Sequence, residues 1–189
     1  MNEQNNKQLL LDTARKLFIE NGYESTSISA IRTAAGLSNG TFYHYFSNKE
    51  DLLVALCDTD VETYDLLDNL ENKVKDPLKY LTEYFISYSR YWNGIGVELA
   101  SQTYRLYDKM FLNRDFSRKH MLSVHIVEKF LDAAQQAGTV STALPPSEMA
   151  SLLYMVTRGV LYEWILLHGN FDLIAASQKY TPHILKIIF

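Results

Sequence analysis

Cysteine is almost missing from this chain: Cys57 stands alone among 189 residues. One thiol cannot form an internal disulfide and is too few for a cysteine metal site, which suits a reducing compartment and leaves Cys57 as a small buried hydrophobe. No run of about 18 apolar residues occurs, and Met1-Asn2-Glu3-Gln4-Asn5-Asn6 lacks the basic-then-apolar order of an export signal. The expectation is a cytoplasmic protein with no membrane partner. Hairpin-type Gly or Pro pairs between alternating apolar runs are absent, so strands are not expected. Catalytic signatures are missing too. There is no Gly-x-Ser-x-Gly elbow, Gly94-Ile95-Gly96 lacks the lysine of a phosphate loop, and His120 and His125 would point about 140° apart on one helix. The acidic series from Asp51 to Glu71 reads as a solvated helix face. No catalytic residue, metal site or cofactor is therefore expected. A basic excess is missing as well: the formal charge is −4, which argues against a protein that coats itself in nucleic acid.

The charge is unevenly placed. Up to Glu50 the cations Lys7, Arg15, Lys16, Arg32 and Lys49 balance the anions Glu3, Asp12, Glu20, Glu24 and Glu50, so the whole deficit lies behind a neutral front. Any polyanion should prefer the front. With 47% hydrophobic and 21% charged residues the chain can bury a core of one or two domains. Its periodicity is helical almost throughout. Leu10, Ala14, Leu17 and Phe18 mark a first helix from about Lys7, stopped at Asn21-Gly22. Thr26 or Ser27 caps a short second helix that ends at Gly36, and Ser38 caps a third running to Tyr45 or Phe46. Ser47 or Asn48 caps a longer fourth. Behind it helical periodicity continues through 66–70, and the pattern predicts helices over 77–91, 97–107, 116–137, 146–168 and 171–189, with breaks at Asp76-Pro77, Asn93-Gly94, Asn113, Gly138, Pro145-Pro146 and Gly169-Asn170. The prediction is all-α, about nine helices, with a three-helix head over 1–48 and a larger helical domain over 49–189.

The third helix divides into two faces. Phe42, Phe46 and Ser38 point one way, with Tyr45 beside them, while Gly40, Tyr43 and His44 point the other, flanked by Asn39 and Thr41. The phenylalanines belong to a core with Leu17, Ile31 and Leu37. Gly40, on the outer face, costs about 0.5–1 kcal/mol of helix stability, which suggests that something comes close to the backbone there. A short helix, a turn through Ala35-Gly36-Leu37 and a second short helix have the proportions of a helix-turn-helix, whose second helix enters the DNA major groove. Asn39, Gly40 and Thr41 would then meet base edges and Tyr43 and His44 phosphates. Lys49 adds a charge at the start of the fourth helix, and Thr26 and Ser27 could serve the phosphate across the groove.

Gly22-Tyr23, Thr26-Ser27-Ile28, Ile31, Ala35-Gly36-Leu37-Ser38, Gly40-Thr41-Phe42-Tyr43, Tyr45-Phe46 and Lys49-Glu50-Asp51-Leu52-Leu53 together resemble the DNA-binding head of the tetracycline-repressor (TetR) family. The resemblance runs from about Leu10 to Leu56. It implies DNA contacts from Ser27, Ser38, Asn39, Gly40, Thr41, Tyr43, His44 and Lys49, with Tyr45 where some relatives place a phosphate ligand. It also implies double-stranded operator DNA as partner, a C-terminal domain that binds a small-molecule effector, and a homodimer formed through the last two long helices. On that reading the protein is a repressor released by its effector; an activator, a helical enzyme and a protein-binding scaffold are the rival readings.

The residues beyond 56 carry independent signals. From Leu152 to Leu167 only Thr157, Arg158 and Glu163 are clearly polar, so that helix must be covered on more than one side. Leu173, Ala176, Tyr180, Ile184 and Ile187 form a stripe on the last helix, which carries Pro182. A second copy would cover both surfaces as a four-helix seam, with Leu152, Val156, Gly159, Leu173, Tyr180, Ile184 and Ile187 in the interface. Thirteen tyrosines are many. Tyr64, Tyr84, Tyr88, Trp92, Tyr104, Tyr154 and Tyr162 recur where an effector site is expected, together with Tyr91 and Tyr107, and their apolar rings with polar tips suit an aromatic or amphipathic ligand. Glu98, Gln102 and His125 could orient it.

Overall fold

The computed structural model describes residues 3–59, 66–111 and 116–189, with side chains at 5–56, 66–106, 123–187 and 189. Ten helices occur among the described residues: α1 (Glu3–Asn21), α2 (Ile28–Ala34), α3 (Asn39–Tyr45), α4 (Lys49–Thr59), α5 (Leu70–Lys73), α6 (Pro77–Ile95), α7 (Val97–Phe111), α8 (Phe116–Gln136), α9 (Pro146–Leu166) and α10 (Leu173–Ile188). The helix beyond the expected nine is the four-residue α5, and residues 66–69, expected to continue the helical pattern, form the turn before it, with Asn69 at φ +50°. Local chemistry accounts for most of the boundaries. Ser27 and Ser38 cap α2 and α3 by accepting the N–H of Ala30 and Thr41, each at 3.1 Å. Before α4 the cap is reciprocal: Asn48 Oδ1 accepts the Asp51 N–H at 2.7 Å, and the Asp51 carboxylate accepts the Ser47 N–H at 3.1 Å. Asp172 caps α10 through the N–H groups of Ile174 and Ala175. The helix therefore starts at Leu173 rather than at Phe171.

One expected break falls elsewhere. The chain stays helical through Asn93-Gly94 and turns at Gly96, where φ is +85°. A helical glycine costs about 1 kcal/mol relative to alanine. Burying an isoleucine contributes about 1.5–3 kcal/mol, and Ile95 is buried at the very end of α6. Burial outweighs propensity here.

Two hydrophobic cores result. The first joins Leu10, Phe18, Ile31, Phe42 and Phe46 of the head to Leu52, Leu53 and Leu56 of α4, and continues into Trp92, Ile95, Leu99, Leu161 and Trp164. The second lies behind it, built from Leu81, Tyr84 and Phe85 of α6, Val127, Phe130 and Leu131 of α8, Met149, Leu153 and Tyr154 of α9, and Leu185 of α10. α10 lies along α6, and α8 along α9. No described helix is long and apolar enough to cross a membrane. The two-core plan places α3 at one end and a band of aromatic rings where the cores meet.

Candidate nucleic-acid interface and aromatic cluster

The division of α3 is visible in its burial. Phe42 and Phe46 are enclosed, while Asn39, Gly40, Tyr43 and His44 are exposed and Thr41 and Tyr45 half-buried. Ser38 is also exposed, contrary to its expected inward position, because its hydroxyl serves as the cap and lies 2.8 Å from that of Thr41. Phe42 packs edge-on against Tyr43 at 5.3 Å between centroids, and the His44 ring stands against Tyr45 at 4.7 Å. A Cβ on Gly40 would meet only Ser38 Oγ, at an ordinary 3.8 Å, so nothing inside the molecule requires glycine there. Neither α2 nor α3 has an acid in its first turn. The outer surface thus offers hydroxyl, amide and imidazole groups around a backbone stripped of side-chain bulk.

Two expected contacts are placed differently. Thr26 is buried, its hydroxyl turned onto the carbonyls of Gly22 at 2.8 Å and Leu17 at 3.2 Å, so it ties the end of α1 to the turn and cannot reach a phosphate. Ser27 alone is the cap. Lys49 is half-buried: its Nζ donates to the carbonyls of Tyr23 at 2.9 Å and Thr26 at 3.1 Å, and sits 4.3 Å from the Tyr23 ring centroid. The first of these partners lies 26 residues away along the chain, too far for any local pattern to signal.

The aromatic residues of α6, α7 and α9 gather where the two cores meet. The hydroxyls of Tyr84 and Tyr154 share a buried hydrogen bond of 2.7 Å. Tyr88 meets Tyr154 at 6.2 Å and Trp92 at 6.1 Å, and Trp92 meets Tyr104 at 6.0 Å. Tyr104 stacks on the exposed Tyr162 at 6.0 Å. Burial raises the phenol pKa of Tyr84 to about 12, and burial likewise pushes those of Tyr104 and Tyr154 upward. Sequence reasoning missed Arg158 here, whose guanidinium carbon lies 4.8 Å from the centre of the Tyr154 ring. A lone arginine in an apolar helix was the available signal.

Two other candidates are not part of this cluster. His125 is exposed and pairs with Glu128 at 3.2 Å, and Glu98 is exposed with its Oε1 against Gly22 in the head. Tyr91 stands at the edge of the cluster, 5.6 Å from Trp92 between centroids, with its hydroxyl turned toward the head and donating to the carbonyl of Leu56 at 3.0 Å. Gln102 is half-buried on α7. Tyr64 and the side chain of Tyr107 lie outside the described residues.

Residues 10–56 match the family model described as bacterial regulatory proteins of the tetR family, and they carry the capped pair α2 and α3 together with the start of α4. These residues are the DNA-binding head of a TetR-family regulator. Among its relatives are the fatty acid metabolism regulator protein of Bacillus subtilis, 21% identical over 90% of this chain and 89% of that one, and the transcriptional regulator UidR of Escherichia coli, 29% identical over 80% and 78%. Its fold is shared with FadR of Bacillus subtilis, solved in complex with stearoyl-CoA, at a TM-score of 0.66 and 20% identity over 96% of this chain and 99% of that one. A protein described as a TetR-family regulator from Mesorhizobium loti superimposes with a TM-score of 0.73 at 18% identity, over 100% of this chain and 96% of that one.

Away from this head, the outer side of the last two long helices is apolar. Leu152, Met155, Val156, Tyr162 and Leu166 of α9 are exposed at helical spacing, with Gly159 exposed among them. Tyr180 and Ile187 of α10 are exposed too. Two expected members of this surface are not on it. Leu173 is 1% exposed, and Ile184 is half-buried against the second core. The stripe expected on α10 therefore faces inward along one edge, because that helix lies between α6 and α9.

Proposed function

We propose that the protein is a homodimeric repressor that holds a near-palindromic operator and is released by a small molecule of aromatic or amphipathic character. Residues 1–48 act as the reading head and 49–189 as the effector and dimerisation body. The observation that supports this most is the division of α3, with its phenylalanines enclosed and Gly40, Tyr43 and His44 outermost. Asn39, Gly40 and Thr41 read base edges, Ser27, Ser38, Tyr43 and His44 bind phosphates with Tyr45 alongside, and Lys49 serves the surface from behind by holding the turn before α2. The exposed apolar stripe of α9, with Tyr180 and Ile187, forms the seam with a second copy. Two heads must then meet successive major grooves about 34–36 Å apart.

Release follows from linkage. If effector and DNA prefer different head separations, each weakens the other by the same factor. The hydrogen bond from Tyr91 to Leu56 joins α6, which carries Tyr88 and Trp92, to α4, which begins at Lys49 behind the head. The stearoyl-CoA bound by the related FadR supports a ligand in the helical body, without naming this one.

Fluorescence anisotropy against the DNA upstream of its own gene, at two salt concentrations, tests the reading. A single short near-palindromic site should bind, more weakly at higher salt as phosphate contacts release counterions. Tyr43→Ala should cost about 1 kcal/mol in each half-site, about thirtyfold for the dimer, on all sequences alike. Asn39→Ala should instead change the ranking of operator variants. Operator binding untouched by Tyr43→Ala would refute the assignment of α3.

A further inference from the structure

The outer surface of the head is short of positive charge. α2 and α3 contain no carboxylate, and Arg32 is their one arginine or lysine. The other cations nearby are engaged elsewhere. Lys49 donates to the carbonyls of Tyr23 and Thr26, Lys16 pairs with Glu20 at 4.0 Å, and the Arg15 guanidinium lies 5.9 Å from the ring centre of Tyr91 in the body. Lys7 stands in the first turns of α1, and the other end of that helix is the one tied to Thr26 and the start of α2. Along α1, Lys7 and Asn21 are about 20 Å apart. Arg32 is half-buried and folded back along α2, its Nη2 donating to the Ser29 hydroxyl at 3.2 Å, one turn nearer the start of the helix. Helical side chains lean that way, so the guanidinium comes to lie on the flank that also presents Ser27, Ser29 and Ala30, all exposed. A guanidinium has five N–H donors in a planar fork, and one bond to a neutral hydroxyl leaves the fork able to take a second acceptor.

Resting on the reading that the head holds operator DNA, we propose that Arg32 is a charged phosphate ligand of each head, set in position by Ser29. The acceptor is a backbone phosphate rather than a base, because the first helix of a helix-turn-helix crosses the backbone while the second enters the groove. The hydroxyl and amide groups of α3 can hydrogen-bond a phosphate, yet only a cation neutralises it and releases its counterion. The planar fork matches two phosphate oxygens at once, which an ammonium cannot do. Ser29 acts through Arg32: its hydroxyl holds a long side chain that would otherwise lose its rotamer freedom on binding.

The test is a set of anisotropy titrations of the full chain on a duplex from the DNA upstream of its own gene, at several salt concentrations. Arg32→Gln should weaken binding about tenfold per half-site, on operator variants alike, and flatten the plot of log affinity against log salt by about 0.9 for each head bound. Its melting temperature should match that of the wild type, since the bond to Ser29 is exposed. Arg32→Lys should keep the slope, because the charge stays, while losing affinity with the fork. Ser29→Ala should also keep the slope and lose a smaller factor in affinity; no loss at all would remove its positioning role. Lys16→Gln takes the same charge from the head and should leave the slope in place. An unchanged slope in Arg32→Gln overturns the proposal. So does a changed ranking of operator variants, which would make Arg32 a base reader, or an equal flattening by Lys16→Gln, which would reduce the effect to net charge. Wild-type protein that binds no DNA sinks the regulator reading and this one together, whereas wild-type binding with the full slope kept by Arg32→Gln sinks this one alone.

Discussion

Replacing Lys49 with methionine separates two roles that a lysine can play beside a DNA backbone. Methionine keeps much of the length and apolar stem but removes the ammonium, which donates to the carbonyls of Tyr23 and Thr26 and lies over the Tyr23 ring. A hydrogen bond from a charged donor contributes about 1.5–3 kcal/mol and an exposed cation–π contact about 0.5–1 kcal/mol. Because the site is half-buried, the lower ends apply, and the loss should be about 2–4 kcal/mol. For a chain of this size that lowers the melting temperature by about 5–10 °C. The turn carrying Ser27 should loosen, and operator affinity should fall, yet the dependence of affinity on salt should keep its slope. A lysine that neutralises a phosphate behaves differently: its removal flattens the slope by about one unit. Calorimetry paired with anisotropy titrations at several salt concentrations reads both quantities. A flattened slope with an unchanged melting temperature would show that Lys49 binds phosphate directly.

The remaining predictions follow the same logic. Gly40→Ala should raise thermal stability by about 0.5–1 kcal/mol, since the added methyl fits, while weakening operator binding; gain of stability without loss of binding would show that no backbone approaches α3 there. Tyr84→Phe should cost about 1 kcal/mol in denaturant unfolding, and a cycle with Tyr154→Phe should show coupling of similar size through their shared hydrogen bond. The alkaline limit carries a sign. Tyr84 titrates near 10 when unfolded and at about 12 when folded, so its contribution is complete below the lower value and is lost between the two, by about 1.4 kcal/mol per pH unit. Tyr84→Phe should therefore flatten stability against pH in that window. Leu166→Glu places a charge in the exposed stripe of α9 and should yield monomers in analytical ultracentrifugation with operator affinity reduced at least tenfold, while the thermal stability of the monomer changes little.

Much of the molecule was decided within a few residues of chain. Ser27, Ser38 and the Asn48–Asp51 pair set their helix starts because a cap reaches only two or three residues, and the spacing of Phe42 and Phe46 against Gly40, Tyr43 and His44 turned α3 to its final orientation before any partner is considered. Tertiary packing decided the rest. It carried α6 past Gly94 so that Ile95 could be buried, closed the Thr26 hydroxyl inward, and laid the Lys49 ammonium on a turn more than 20 residues away. It also brought Tyr84 of α6 and Tyr104 of α7 within electrostatic reach of Arg158, left Glu98 and His125 outside, and chose which edge of α10 faces water. Periodicity states that a helix has an apolar face; which neighbour covers that face depends on the docking of segments far apart in sequence, and no local spacing contains that information.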